Sequence, residues 1–141
     1  MSGFLLDTNV LSEQVRANPA EEVVRFLNER ASDETYISVV TVHELVYGAQ
    51  RVKNAKQHNL LMRWVVGMET HYSENVLPVN GEIAHRSAVQ RSDSLSRGRT
   101  LHLADGFIAG TAAVFDLTLV TRNTGDFEHL GLRLLNPWIS T

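Results

Sequence analysis

Gly3-Phe4-Leu5-Leu6-Asp7-Thr8-Asn9 opens the sequence with a short apolar run that stops on three polar residues. An unbroken apolar run of this length fits a buried strand, and Asp7-Thr8-Asn9 ends it. Working outward, the next segment is a helix. Asn18-Pro19-Ala20-Glu21-Glu22 carries a cap residue, a proline at the first helical position and acids in the first turn. Val23, Val24, Phe26 and Leu27 give that helix an apolar face. Thr35-Tyr36-Ile37-Ser38-Val39-Val40 is β-branched and aromatic, which predicts a second strand. Thr41-Val42-His43-Glu44 then reads as a capping box that starts a helix continued by Leu45, Val46 and Ala49.

The alternation continues to the end of the chain. A helix over roughly 55–71 carries Leu60, Leu61, Trp64 and Val65 at helical spacing. Val76-Leu77-Pro78-Val79 predicts a short strand, and Pro78 places it at an edge. Asn80 caps a helix running to about Ser96, closed by Gly98. Leu103 to Phe115 is helical and rich in Ala and Gly; Leu117 to Thr121 is a strand, and Arg133-Leu134-Leu135 a last one. Strands alternating with helices predict an α/β fold: one mostly parallel sheet of four to five strands with helices on both faces.

The composition sets the outer limits. At 141 residues, the chain is one domain spanning 1–141, without repeats or a linker. It is 43% apolar, enough for a real core, and its net charge of −3 is too small for a disordered chain. Cysteine is absent, which excludes disulfides and thiolate metal sites. No apolar run approaches the length of a membrane span, and Met1-Ser2-Gly3-Phe4 does not begin a signal peptide. A cytoplasmic protein is expected.

In open α/β sheets, ligands bind outside the carboxyl ends of the strands, so acids just after strands deserve scrutiny. Asp7 follows the first strand, Glu44 lies in the first turn after the second, Asp105 in the first turn of the Ala/Gly-rich helix, and Asp126 beyond the strand ending at Thr121. Singly, each has an ordinary reading as a cap or a first-turn acid. Together, four like charges on one sheet edge repel unless a cation neutralises them. Oxygen ligands without cysteine suit Mg²⁺ or Mn²⁺, ions that do hydrolytic work at phosphodiesters.

The blocks around these acids resemble a known family. Phe4-Leu5-Leu6-Asp7-Thr8-Asn9-Val10-Leu11-Ser12 is similar to the opening of PIN-domain ribonucleases, above all the VapC toxins of bacterial toxin–antitoxin pairs and their FitB-like group. Ser38 to Gly48, Leu103 to Ala112 and Leu119 to Phe127 are similar to the second, third and fourth blocks, in family order. Carried over residue by residue, the resemblance makes Asp7, Glu44, Asp105 and Asp126 a catalytic, metal-binding set, with Asp7 and Asp105 the closest ligands. It makes Thr121 the hydroxyl that steadies the first Asp, and Asn9 and Asn123 supporting polar groups. Arg122, beside this site, is a candidate for phosphate contact. The implied activity is Mg²⁺- or Mn²⁺-dependent endoribonuclease cleavage by an activated water, leaving a 5′-phosphate and a 3′-hydroxyl. A homodimer and a silencing VapB-type antitoxin are implied too.

The remaining charges fit such a substrate. Without the four acids the balance is 13 − (16 − 4) = +1, and Arg86, Arg91, Arg97 and Arg99 fall in one segment. Arg97 and Arg99 are candidates to track phosphates, whereas Arg86 and Arg91 read as a solvated helix face. His43 and His102 neighbour the acids without being expected ligands; Met62, Trp64 and Met68 read as packing. Gly106 and Gly110 suggest a close approach of helix to sheet, or a dimer surface. Two other functions compete: a non-catalytic binding module of the same fold, and a haloacid-dehalogenase-type phosphatase using Asp7. The phosphatase needs a second Asp two residues on, where this chain has Asn9.

Overall fold

The computed structural model describes residues 3–139; Met1, Ser2, Ser140 and Thr141, including the start of the expected leaderless N-terminus, lie outside it. Five short strands form one parallel sheet: β1 (Phe4–Leu6), β2 (Thr35–Ser38), β3 (Val76–Leu77), β4 (Thr118–Val120) and β5 (Leu134–Leu135). Their order is β3-β2-β1-β4-β5, so the opening strand is central and the strand before Pro78 is an edge, as expected.

Successive side chains of a strand point to opposite faces, and β1 uses this to divide the interior in two. Leu6 packs with Val10, Val23, Phe26, Ile37, Leu45, Val65 and Val120 on one face. Leu5 packs with Ile108, Ala109, Ala112, Leu119 and Phe127 on the other. The first core is covered by α1 (Thr8–Ser12), α2 (Glu21–Glu29), α3 (Val39–Gln50) and α4 (Ala55–His71). Behind the second stand α6 (Leu103–Val114) and, packed on α6, α5 (Gly81–Ser96). Among the described residues no helix is long and apolar enough to cross a membrane.

Two helix starts differ from expectation. The strand before α3 ends at Ser38, not Val40: the Ser38 hydroxyl accepts the Val40 N–H at 3.0 Å and caps the helix. Val39-Val40 is β-branched, but a cap bond outweighs a weak propensity. Thr41 is therefore buried inside the helix rather than capping it, and Glu44 lies a turn further in than the capping-box reading placed it. Likewise α2 begins at Glu21 with Ala20, not Asn18, at its cap, where buried Glu13 anchors the chain by taking the N–H of Ala20 itself at 2.8 Å. The caps at Asn54 and Asn80 are made by their own side chains, to Gln57 and Ile83.

The glycines of α6 serve a helix–helix contact rather than the helix–sheet contact expected, whereas Ala109 and Ala112 do pack toward the sheet, with Leu5 and Leu119. A Cβ on Gly110 would stand 2.9 Å from the Ile83 carbonyl oxygen, and one on Gly106 would stand 2.6 Å from Arg91 Cδ. Arg91 is correspondingly no solvated arm. Its stem lies over Gly106, and its Nε donates to the Leu101 carbonyl at 2.8 Å, pinning the α5–α6 connection.

Candidate active site

Where β1 ends, Asp7 turns the chain into α1. Its Oδ1 accepts the Thr8 N–H at 2.8 Å and caps that helix, its own N–H donates to the Val120 carbonyl, and the side chain is 6% exposed. The other oxygen, Oδ2, accepts the Thr121 hydroxyl at 2.8 Å. A carboxylate so buried is fixed in orientation by two donors from different segments. Burial nonetheless outweighs those two bonds and raises its pKa, with Glu44 and Asp126 adding to the rise.

Glu44 reaches the same place from α3. Its Oε1 accepts the Thr8 hydroxyl at 2.6 Å, and the same hydroxyl lies 3.3 Å from that of buried Thr41. Thr8 was not singled out in the sequence, although it stands between Asp7 and Asn9 in the opening block. Its position at the first turn of α1, one residue past a capping Asp, was the available signal.

Asp105 sits in the first turn of α6, where the helix dipole alone would favour its charge. Its carboxyl is instead pushed up to about 6. Desolvation is the main cause, then the charges of Asp7, Glu44 and Asp126; His102, at the helix cap, pulls it back. Asp126 closes a 3₁₀ turn, Thr124–Asp126, and is exposed. No helix is capped by its side chain. The structure therefore brings all four predicted acids to one sheet edge, close enough to raise the pKa of the most central one.

The supporting polar residues form a short chain beneath them. Asn9 Nδ2 donates to the Thr121 hydroxyl at 3.4 Å, and Asn9 Oδ1 accepts the Arg122 N–H at 3.3 Å. Asn123 enters through its backbone N–H, which donates to the Thr121 hydroxyl at 3.1 Å. The Arg122 guanidinium is exposed and lies over the Trp138 ring, 5.0 Å from its centroid. His43, outside the acidic cluster, stacks on exposed Tyr47.

The model of the PIN domain matches residues 4–131, nearly the whole described chain. This chain belongs to the PIN-domain family. As a PIN domain it is 37% identical over 136 residues to the toxin FitB of Neisseria gonorrhoeae, covering 96% of this chain and 98% of that protein. It is 30% identical to the VapC ribonuclease Y4jK of Sinorhizobium fredii, covering 96% and 97% of the two chains. A solved structure of FitAB bound to a DNA fragment superposes with a TM-score of 0.93 at 34% identity, over 98% of this chain and 97% of that one.

A PIN domain with an all-oxygen acidic edge raises the question of a divalent cation. Among the described residues, no three acids or histidines are grouped tightly enough to enclose an ion by themselves. Mg²⁺ does not require that, because it keeps several waters and is held by one or two carboxylates. Mutual repulsion at Asp105 is the second fit: carboxylates that hinder each other's ionisation are relieved by a bound positive charge. The donor set fits Mg²⁺ or Mn²⁺.

Proposed function

We propose that this chain is the endoribonuclease toxin of a toxin–antitoxin pair of the VapC kind, hydrolysing RNA phosphodiester bonds in the cytoplasm with Mg²⁺ or Mn²⁺. The observation that carries this reading is the convergence of Asp7, Glu44 and Asp126 on Asp105, whose charges add to the effect of burial in lifting its carboxyl to about 6. Such repulsion costs stability and is retained where a cation is meant to bind. The matched family and the names of similar relatives supply the chemistry: a toxin and a ribonuclease.

Asp7 and Asp105 would hold the ion, with Glu44 and Asp126 completing the field through water. A bound divalent ion lowers the pKa of an attacking water and neutralises charge at the phosphate. The protein's own part is to hold the geometry. Thr121 and the Thr8 N–H fix the two oxygens of Asp7, and the Thr8 hydroxyl fixes Glu44. Asn9 holds Thr121 and the Arg122 backbone, and the Arg122 guanidinium, resting on Trp138, would take a phosphate. Fixed ligands need no reorganisation when the substrate arrives.

The partners follow the same reading. The antitoxin is the second component, by analogy with FitAB. A second copy of the chain is assigned to the apolar groove of about 380 Å³ between the first turns of α3 and α6, where Val39 and Leu103 are exposed at its rim. The phosphatase alternative loses further ground. Asn9 is engaged with Thr121 and Arg122 where that mechanism needs an acid/base.

The test is cleavage of total bacterial RNA by the purified chain, free of partner, with Mg²⁺ or Mn²⁺, with EDTA, and with Asp105→Asn. Discrete fragments that vanish with EDTA and in the variant are expected. Absence of both cleavage and metal binding would leave the non-catalytic binding module.

A further inference from the structure

Beside Asp126 lies a cleft that the four acids do not account for. It encloses about 250 Å³ and is lined by Arg99, Thr100, Leu101, Asp126 and His129. Its walls come from the α5–α6 connection and from the segment after β4. We propose that this cleft is a subsite for the RNA strand on the Asp126 side of the acidic site, where the Arg99 guanidinium takes a backbone phosphate next to the one cleaved. The inference rests on the ribonuclease reading above.

The backbone places Arg99 there rigidly. Helix α5 ends with Gly98 at φ +76°, a left-handed turn that glycine adopts without strain. The Gly98 N–H donates to the Leu95 carbonyl and the Arg99 N–H to the Ser94 carbonyl, each at 2.9 Å. That pair of bonds fixes the chain direction out of the helix. Two residues on, the Arg91 bond to the Leu101 carbonyl pins the other end of the connection. The opposite wall is held as firmly: fully buried Ser94 bonds His129 Nε2 at 2.5 Å.

The guanidinium itself is held, yet keeps capacity for a ligand. Nη1 donates to the Gly125 carbonyl at 2.9 Å, one residue before Asp126. Nη2 stands 3.6 Å from the Glu128 carboxylate, in an ion pair whose side chains are 48% and 61% exposed. Guanidinium offers five N–H donors in a planar fork matched to phosphate oxygens. One hydrogen bond and one loose, solvated pair leave most of that fork unused, and an exposed pair of this kind is worth little. A phosphate displacing Glu128 would meet a cation already fixed beside the acidic centre.

The test reads binding and kinetics on the whole chain. A short, labelled single-stranded RNA of mixed sequence is titrated into Asp105→Asn protein, with and without Arg99→Ala, across a salt series. KM and kcat are measured in the otherwise intact enzyme. Arg99→Ala is expected to weaken binding roughly five- to tenfold, raise KM similarly, and flatten the log Kd–log salt slope by about 0.7, one phosphate contact on a single strand. Glu128→Gln, which removes the competing carboxylate, is expected to tighten binding. Equal Kd, KM and slopes with and without Arg99→Ala would overturn the subsite while cleavage, and with it the function, stands. A fall in kcat alone would overturn it too, making Arg99 only a clamp on the Asp126 turn. Absence of both RNA binding and cleavage would sink the ribonuclease reading first and the subsite with it.

Discussion

The Thr8 hydroxyl donates to Glu44 across 2.6 Å, joining the first turn of α1 to α3 over a separation of 36 residues. Asp7, one residue earlier, takes the backbone N–H of the same threonine. One residue thus orients two of the four acids, through its main chain for one and its side chain for the other.

Replacing that hydroxyl is the sharpest test of this coupling. Thr8→Val keeps the shape and the N–H but leaves Glu44 without its donor. Loss of a group that orients a metal-binding carboxylate typically costs about 10–100-fold in affinity or activity. Thr8→Val is expected to lower RNA cleavage within that range and to raise the Mn²⁺ concentration needed for half-maximal rate. Thr8→Ser should restore most of both.

Thr121 offers the matching test at Asp7. The Thr121 hydroxyl donates to Asp7 Oδ2 and receives the Asn9 side chain and the Asn123 N–H. Thr121→Val strips three bonds at a site with no solvent access. Besides lost activity, a stability cost of about 1–3 kcal/mol is expected from the buried groups left unpaired. Chemical denaturation of the metal-free protein measures it. An unchanged midpoint would mean that water replaces the hydroxyl.

The raised pKa of Asp105 fixes the sign of a pH effect. The folded chain holds this proton up to about pH 6, whereas an ordinary aspartate releases it near 3.8. Between those values the folded state binds more protons than the unfolded one, so stability falls as pH rises through the window and stays lowered above it. The metal-free protein should therefore gain from Asp105→Asn at pH 7 and gain little near pH 4. Stabilisation by Mn²⁺ should follow the same trend, larger at pH 7 than at pH 5. Melting curves of both proteins across this range, with and without metal, decide the matter; a gain independent of pH would refute the raised Asp105 carboxyl, whose causes are burial first and the neighbouring acids second.

Helix α6 gives a prediction about packing. Gly110 faces the Ile83 carbonyl, a rigid backbone atom, at 2.9 Å from where a Cβ would stand. Gly110→Ala should destabilise by about 1–3 kcal/mol, as overpacking of a close contact does. Gly48, with nothing near its would-be Cβ in α3, is the control: Gly48→Ala should be neutral or stabilising by up to about 1 kcal/mol.

The apolar groove between α3 and α6 predicts an oligomeric state. Leu103 at its rim is 56% exposed, and a second copy seated on the groove would cover it. Leu103→Glu should convert a dimer to a monomer in sedimentation experiments without lowering the melting temperature of the monomer. A wild-type chain that sediments as a monomer at high concentration would remove this face from consideration.

The sheet was legible because its signals are local. Apolar runs at 4–6 and 118–120 and a proline after the edge strand define it without knowledge of the rest. Asp7, Glu44 and Asp126 stood out by their places after strands, and Asp105, which follows α5, by its first-turn position and the order of the blocks. What escaped were choices settled by individual side-chain bonds and contacts, some local and some across the fold. Asn18-Pro19 carries a good helix start, but Glu13 makes a better acceptor for the chain two residues later. Val39-Val40 looks extended until Ser38 is seen to cap. Arg91 looks solvated until its stem is found over Gly106. Thr8 has no sequence pattern of its own, since its partner Glu44 is named only by the fold.

The chain order of the site carries a consequence for synthesis. Asp7 emerges early, but the strand that brings Thr121 and Asp126 lies between β1 and β5, near the end of the chain. Until β4 docks beside β1, Asp7 has neither the Val120 carbonyl for its N–H nor the Thr121 hydroxyl for its carboxylate. During synthesis, therefore, the acidic site cannot assemble around Asp7 until β4 has emerged and paired with β1.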